Sequence, residues 1–240
     1  MADEQPFEKK FGQWGEPSDG AVHEAVPAAT VILLRESSGH LETLMLRRDS
    51  KLAFAGGMWV FPGGRVDPDD YDGSDDVLAA ARRAAVREAA EEAGLAVDPA
   101  SLVWLSHWTP PPQTPRRFAT WFFVAPAPTG AVMIDDGEIR DHMWVAPADA
   151  IARRDVLEIE LAPPTWVTLH TLARSATVAE ALRAARDTEI EYFTTKAAVT
   201  AEGVVALWAG DAGYETGDAS VLGPRHRLWM LESGWRYERD

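Results

Sequence analysis

Apolar runs and polar breaks divide the chain into short elements of changing period. Residues 30–34 (TVILL) are almost entirely apolar, which suits a strand buried on both faces. A polar turn at 37–40 separates them from residues 41–46, and the two runs read as a hairpin. Residues 58–61 form a further short strand. It runs into Pro62-Gly63-Gly64, where the expectation is a turn with glycine at positive φ and backbone open to close approach by a ligand. Residues 67–76 hold six Asp together with Pro68, Gly73 and Ser74, and read as a loop.

Residues 77–93 are Ala-rich and free of Gly and Pro, which predicts a helix. Asp75 and Asp76 suit its N-terminus as cap and dipole partner. Gly94 suits its stop. Strands are expected at 102–108, 120–125 and 139–145, the first two separated by a Pro-rich loop at 109–115. Helical patterning returns at 147–153, 164–174 and 178–186. Strands follow at 204–208, 227–231 and 235–239, the last two joined by a Ser233-Gly234 turn. Residues 1–26 are rich in charge, Gly and Pro and read as a loose arm. With no internal repeat or long linker, residues 27–240 are expected to form one domain, with a C-terminal extension from about residue 147.

Composition narrows the chemistry. The net charge is −15, which argues against a protein that wraps nucleic acid, because phosphate neutralisation needs clustered Lys and Arg. An anionic substrate is still compatible, since carboxylates can recruit divalent cations to meet phosphate. The chain has no Cys, so disulfides, thiolate catalysis and zinc–thiolate sites are excluded. No signal-like or membrane-spanning apolar run is present, and a cytoplasmic enzyme is the expectation. The six His show no metal-ligand spacing; His107, His142 and His170 are expected to be structural or at the surface. For most of the ten Trp, burial is the expected use.

The segment Arg87-Glu88-Ala89-Ala90-Glu91-Glu92-Ala93-Gly94-Leu95 carries the sharpest signal. At about 100° per residue, Glu91 lies near −60° and Glu92 near +40° from Glu88, so three carboxylates share one helix face. Val86, Ala89, Ala90 and Ala93 are left for the opposite, packed side. Like charges this close repel unless a cation sits among them. Three Glu alone fit a solvated acidic stripe better than a site. The preceding Phe61-Pro62-Gly63-Gly64 and the following Gly94 favour a functional reading.

These residues resemble the Nudix hydrolases, whose signature runs Gly, five residues, Glu, seven residues, Arg-Glu-apolar-x-Glu-Glu-x-Gly-apolar. Arg87 to Leu95 match its second half and Gly64 its opening Gly. One departure stands out. Gly64 and Arg87 enclose 22 residues where the signature has about 13, an insertion placed in the 67–76 loop. Counting back from Arg87 reaches Ala79, so the first Glu is missing in that register. Asp67, Asp69, Asp70, Asp72, Asp75 and Asp76 all remain candidates for its place. The stretches Arg47-Arg48-Asp49, Phe54-Ala55-Gly56-Gly57 and Val60 through Asp67 look like the branch containing acyl-CoA diphosphatases, which also inserts residues in the box. Ala53 stands where a related CoA motif has a second Arg.

The resemblance implies an α+β Nudix sandwich, a mixed sheet between helices, carrying a helical and strand extension. It implies a hydrolase that cuts a diphosphate linkage in a nucleotide-type small molecule, with CoA or acyl-CoA as the subgroup's substrate. The alternatives are ADP-ribose, dinucleotide or nucleoside triphosphate pyrophosphatases, RNA decapping, and a Nudix-fold protein that binds without catalysis. Glu88, Glu91, Glu92 and the Gly63 carbonyl would hold Mg²⁺ or Mn²⁺, both suited to hard oxygen donors. Glu92 or Glu138 would take a proton from water, and Arg87 would orient a neighbouring carboxylate. Arg48, Arg116 and Arg117, with Gly64, would meet substrate, because guanidinium forks match phosphate oxygens. A homodimer is a further expectation from the family.

Overall fold

The computed structural model describes residues 24–51, 55–112, 114, 117–134, 137–231 and 233–240. They fall into two compact units, one built from Val26–His107 and Thr120–Glu191, the other including Trp108–Ala119 and Tyr192–Asp240. The expected arm lies largely outside the described residues.

The larger unit opens with β1 (Val26–Ser37) and β2 (His40–Arg48), the expected hairpin, paired from Leu34↔Thr43 to Ser37↔His40. At 12 residues, β1 is long enough to serve two partners. Its second half pairs with β2. Its first half pairs with β4 (Gly63–Arg65), through Ala28↔Arg65, Ala29↔Gly64 and Thr30↔Gly63. The short β3 (Trp59–Val60) lies on β2. Together with β5 (Val103–Thr109), β6 (Phe118–Pro126) and β7 (Ile139–Val145), these form a mixed sheet of order β3-β2-β1-β6-β5, with β7 also on β2.

The helix predicted at 77–93 forms with those bounds as α1 (Val77–Ala93). Its ends are set locally. The Asp76 side chain accepts from the N–H groups of Leu78 and Ala79, and Gly94 closes the helix in the left-handed region at φ 67°. The packed face is Ala80, Ala81, Ala84, Ala85, Ala89 and Ala93, set against Val31, Leu33, Leu44, Leu46 and Phe123. Small side chains let the helix lie close to the sheet. Ala90, expected on that face, is exposed. The buried stripe extends N-terminally through Ala80 to Ala85, and this rotates the packed side away from Ala90. Three shorter helices follow, α2 (Pro147–Asp155), α3 (Pro163–Leu172) and α4 (Val178–Asp187).

Two loop expectations are corrected. Gly63 and Gly64 do not form a positive-φ turn but the strand β4. Glycine is needed there for space: a Cβ on Gly63 would overlap the Ala29–Thr30 backbone, and one on Gly64 the Glu88 carboxylate. Within the 67–76 loop, Pro68–Tyr71 form a 3₁₀ turn, with Asp67 and Asp70 in a reciprocal capping box and Asp72 left-handed at its end.

In the smaller unit β9 (Lys196–Thr200), β10 (Gly203–Leu207), β11 (His226–Leu231) and β12 (Gly234–Arg239) make an antiparallel sheet of order β12-β11-β10-β9. The preceding strand β8 is Glu191–Thr194. The rings of Trp108 and Phe193 stack face to face, and Trp208 meets both edge-on. Arg227 and Asp211 form a fully buried ion pair, with Nε–Oδ2 at 2.7 Å and Nη2–Oδ1 at 2.6 Å.

Candidate active site

The site grows from the contact between β4 and α1. Pairing with β1 holds the Gly63-Gly64 backbone flat, and α1 crosses it with the Glu88–Glu92 turn. The Gly63 N–H donates to Glu92 Oε2 at 2.9 Å, so Gly63 meets the box helix through its amide. Glu88 lies against Gly64 with no room for a methyl group between them. Gly64→Ala is therefore expected to destabilise the protein by about 1–3 kcal/mol, because Glu88 can move only by disturbing Arg87. Urea unfolding measures this; an unchanged midpoint would mean that the Glu88 side chain moves aside freely.

Arg87 organises the anionic groups. Its Nη1 donates to Glu88 Oε1 at 2.8 Å and to Glu91 Oε2 at 3.0 Å. Its Nε and Nη2 fork the Asp70 carboxylate at 3.2 and 2.9 Å, and Nη2 also donates to the Arg65 carbonyl at 2.9 Å. One guanidinium thus ties α1 to β4 and to the 3₁₀ turn. The hydrogen bonds that Arg87 donates, those to Asp70 first and that to Glu88 next, hold it protonated despite its burial. Asp70 is itself buried. Burial would raise its pKa, but the Arg87 fork and the Asp67 N–H outweigh that and hold it below the usual carboxylate range.

Asp70 settles the apparent gap in the motif. Counting forward from Gly64, five residues lead to Asp70, the position of the signature's first Glu. Counting back from Arg87 missed it because the extra residues lie after this acid, in the turn through Asp76 and the first turns of α1. The signal was in the sequence, but the register had to be read from the glycine.

Glu92 is the most buried of the three box glutamates, and burial pushes its pKa up to about 8. The Gly63 N–H and Arg48 oppose that shift, while Glu88 and Glu138 add to it. Burial also raises Glu88, against the pull of Arg87. Arg48, at the end of β2, reaches both acids: Nη1 lies 3.7 Å from Glu92 Oε1 and Nη2 2.7 Å from Glu138 Oε2. Glu138, just before β7, is thereby drawn in beside the box, although it stands 90 residues from Arg48 in the chain.

The arrangement thus brings together Arg48, Gly63, Gly64, Arg87, Glu88, Glu91, Glu92 and Glu138. Arg117 belongs to the smaller unit, where its guanidinium donates twice to the Pro110 carbonyl, at 3.3 and 3.2 Å. Arg116 lies outside the described residues, as does Phe54. Among the described residues, no three His, Asp or Glu side chains are arranged to hold a metal ion, and Arg87 takes one carboxylate oxygen from each of Glu88 and Glu91. The donor chemistry nonetheless fits a hard divalent cation. Glu92 is buried, flanked by two further acids, and its ionised form is under-compensated by the protein alone.

Comparison with known proteins agrees with this geometry. The NUDIX domain model matches residues 25–166, more than half of the chain. The chain belongs to the Nudix family, the hydrolases of nucleoside diphosphate-linked compounds. A Nudix hydrolase from Alicyclobacillus acidocaldarius shares the fold at TM-score 0.62 and 23% identity, over 68% of this chain and 97% of that one. The NUDIX domain of Shewanella oneidensis NrtR complexed with ADP ribose aligns at TM-score 0.47 and 18% identity, over 70% and 96% of the two chains. A C. elegans Ap4A hydrolase aligns at TM-score 0.42 and 24% identity, over 62% and 96%. No curated protein matches the chain.

Proposed function

We propose that this protein is a Mg²⁺- or Mn²⁺-dependent hydrolase that cleaves the diphosphate linkage of CoA or an acyl-CoA. The observation that carries the hydrolase reading is the buried Glu92 carboxylate, held by the Gly63 amide and flanked by Glu88 and Glu138. A cation fits there better than the protein's own groups do. The CoA assignment rests on the Arg47-Arg48-Asp49 and Phe61-Pro62-Gly63-Gly64 stretches and on the box insertion.

Phosphoanhydride cleavage asks the protein for charge neutralisation and a placed water rather than covalent chemistry. Glu88, Glu91 and Glu92 would hold the ion, which when bound neutralises diphosphate oxygens and makes water more acidic. Arg87 holds Glu88 and Glu91 on one guanidinium while anchored on Asp70. Glu138 takes the proton from water. Arg48 presents a guanidinium to the diphosphate, whose oxygens match its fork.

The test is hydrolysis of CoA, an acyl-CoA, ADP-ribose, NADH and 8-oxo-dGTP with Mg²⁺, Mn²⁺ or EDTA. The expected outcome is metal-dependent turnover, greatest on the CoA compounds and absent in EDTA. A clear lead for ADP-ribose or NADH would replace the substrate, and turnover undiminished in EDTA would overturn the metal role.

A further inference from the structure

The last two residues of β2 and the residue after it each form an ion pair with the start of β7 or the residue before it. Arg47 faces Asp141 at 4.0 Å, Arg48 pairs with Glu138 at 2.7 Å, and Asp49 accepts from Arg140 Nε and Nη2 at 2.8 and 2.6 Å. The ladder is irregular there. Arg47 lies opposite Asp141, but Arg48 lies opposite Ile139, so Arg140 is the extra residue of a β-bulge. Bulges re-aim side chains and recur beside active sites. Here the bulge turns Arg140 onto Asp49, whose side chain is largely buried at 13% exposure. The Asp49 amide then donates to the Glu138 carbonyl at 2.7 Å. On its other side Arg48 is fixed through its backbone, its N–H to the Met58 carbonyl and its carbonyl to the Gly57 N–H, each at 3.1 Å.

The consequence is specific to Glu138. Its side chain is 56% exposed, so packing does not choose its orientation. Its backbone carbonyl is tied to Asp49 and its carboxylate to Arg48. Both restraints start from adjacent residues, Arg48 at the end of β2 and Asp49 just after it. We propose that Asp49 and Arg140 are positioning residues, whose ion pair across the bulge holds the Glu138 carboxylate at Arg48 beside Glu92. The inference rests on the hydrolase reading above, in which Glu138 takes the proton. Neither residue touches the reacting atoms. They act by keeping Glu138 within reach of the water, and misplacement of a reacting group by about 1 Å can cost on the order of 100-fold.

The experiment compares the parent, Arg140→Met, Arg140→Lys, Glu138→Gln and the double variant Glu138→Gln/Arg140→Met on the best substrate of the panel. Arg140→Met is expected to lower kcat by about 10- to 100-fold, with KM within about twofold. Lys restores part of the loss, since it keeps the charge but not the fork. In the Glu138→Gln background, Arg140→Met should add less than about twofold, because residues acting through one group are not additive. Amide exchange gives a readout independent of turnover: the Asp49 N–H should exchange about tenfold faster in Arg140→Met as its bond to Glu138 loosens. Faster exchange with unchanged kcat would make the pair structural only and overturn the proposal, as would full additivity in the double variant. An inactive parent on every substrate would instead overturn the hydrolase reading, while the exchange measurement still reports whether the pair holds Glu138.

Discussion

Glu92→Gln is expected to remove turnover by about 10²–10³-fold while making the metal-free protein more stable at pH 8.5. The two effects share one cause. Glu92 is buried beside Glu88 and Glu138, and its pKa rises from 4.5 to about 8. An acid raised in this way contributes its full stability below 4.5, where folded and unfolded chains both hold the proton. That contribution is lost as pH climbs through about 8. A glutamine still accepts from the Gly63 N–H but carries no charge to desolvate. The shift sets an upper bound of roughly 5 kcal/mol, and relaxation around the site should leave about 1–3 kcal/mol. Urea midpoints in EDTA at pH 5 and pH 8.5 measure it, with a gap between variant and parent expected only at the higher pH. Adding Mg²⁺ should reverse the order at pH 8.5, because the ion binds the parent's ionised form and stabilises whatever it binds. A gap equal at both pH values would show that Glu92 is not the strained acid described here.

The parts of this site that sequence could expose are those fixed by local chemistry. The bounds of α1 are readable because both of its ends are made by single residues, the Asp76 cap and the left-handed Gly94. The Glu88-Glu91-Glu92 spacing is readable because helical geometry alone puts the three on one face. Gly63-Gly64 shows the limit of such reading. Glycine pairs are common in turns, and only the tertiary contact with Thr30 and Glu88 reveals that they were needed for room in a strand. Arg48 and Glu138 were each visible as candidates, but their meeting depends on a bulge in the β2–β7 register, which leaves no mark on either strand's hydrophobic pattern. The strands β8 and β9 escaped for a simpler reason: at four and five residues, with sequences EYFT and KAAVT, they carry too little alternation to stand out.

Arg227→Met should destabilise the smaller unit by about 3–5 kcal/mol, the largest loss expected from any single change described. Asp211 and Arg227 are fully buried, and Arg227 also donates to the Ala219 carbonyl at 2.7 Å. Removing the guanidinium leaves the Asp211 carboxylate, among the described residues, with the His226 and Gly213 amides at 2.9 and 2.8 Å. Burial alone would raise the Asp211 pKa, yet the Arg227 fork and these amides hold it down to about 2. The sign follows from the depressed value: the pair's contribution is present above 3.8 and is lost as pH falls through about 2. In the parent this contribution should therefore persist down to 3.8 and decline from there through about 2. Arg227→Met forfeits the contribution at every pH and replaces it with an uncompensated buried charge, so mild acid should partly rescue the variant by protonating Asp211. A double variant, Asp211→Leu/Arg227→Met, should recover most of the stability, since an apolar pair is often as stable as a buried ion pair. Amide exchange of the β10 and β11 backbone as a function of urea reports on this unit. A single variant within about 1 kcal/mol of the parent would show that water reaches the pair and that its burial does not govern the fold of the C-terminal sheet.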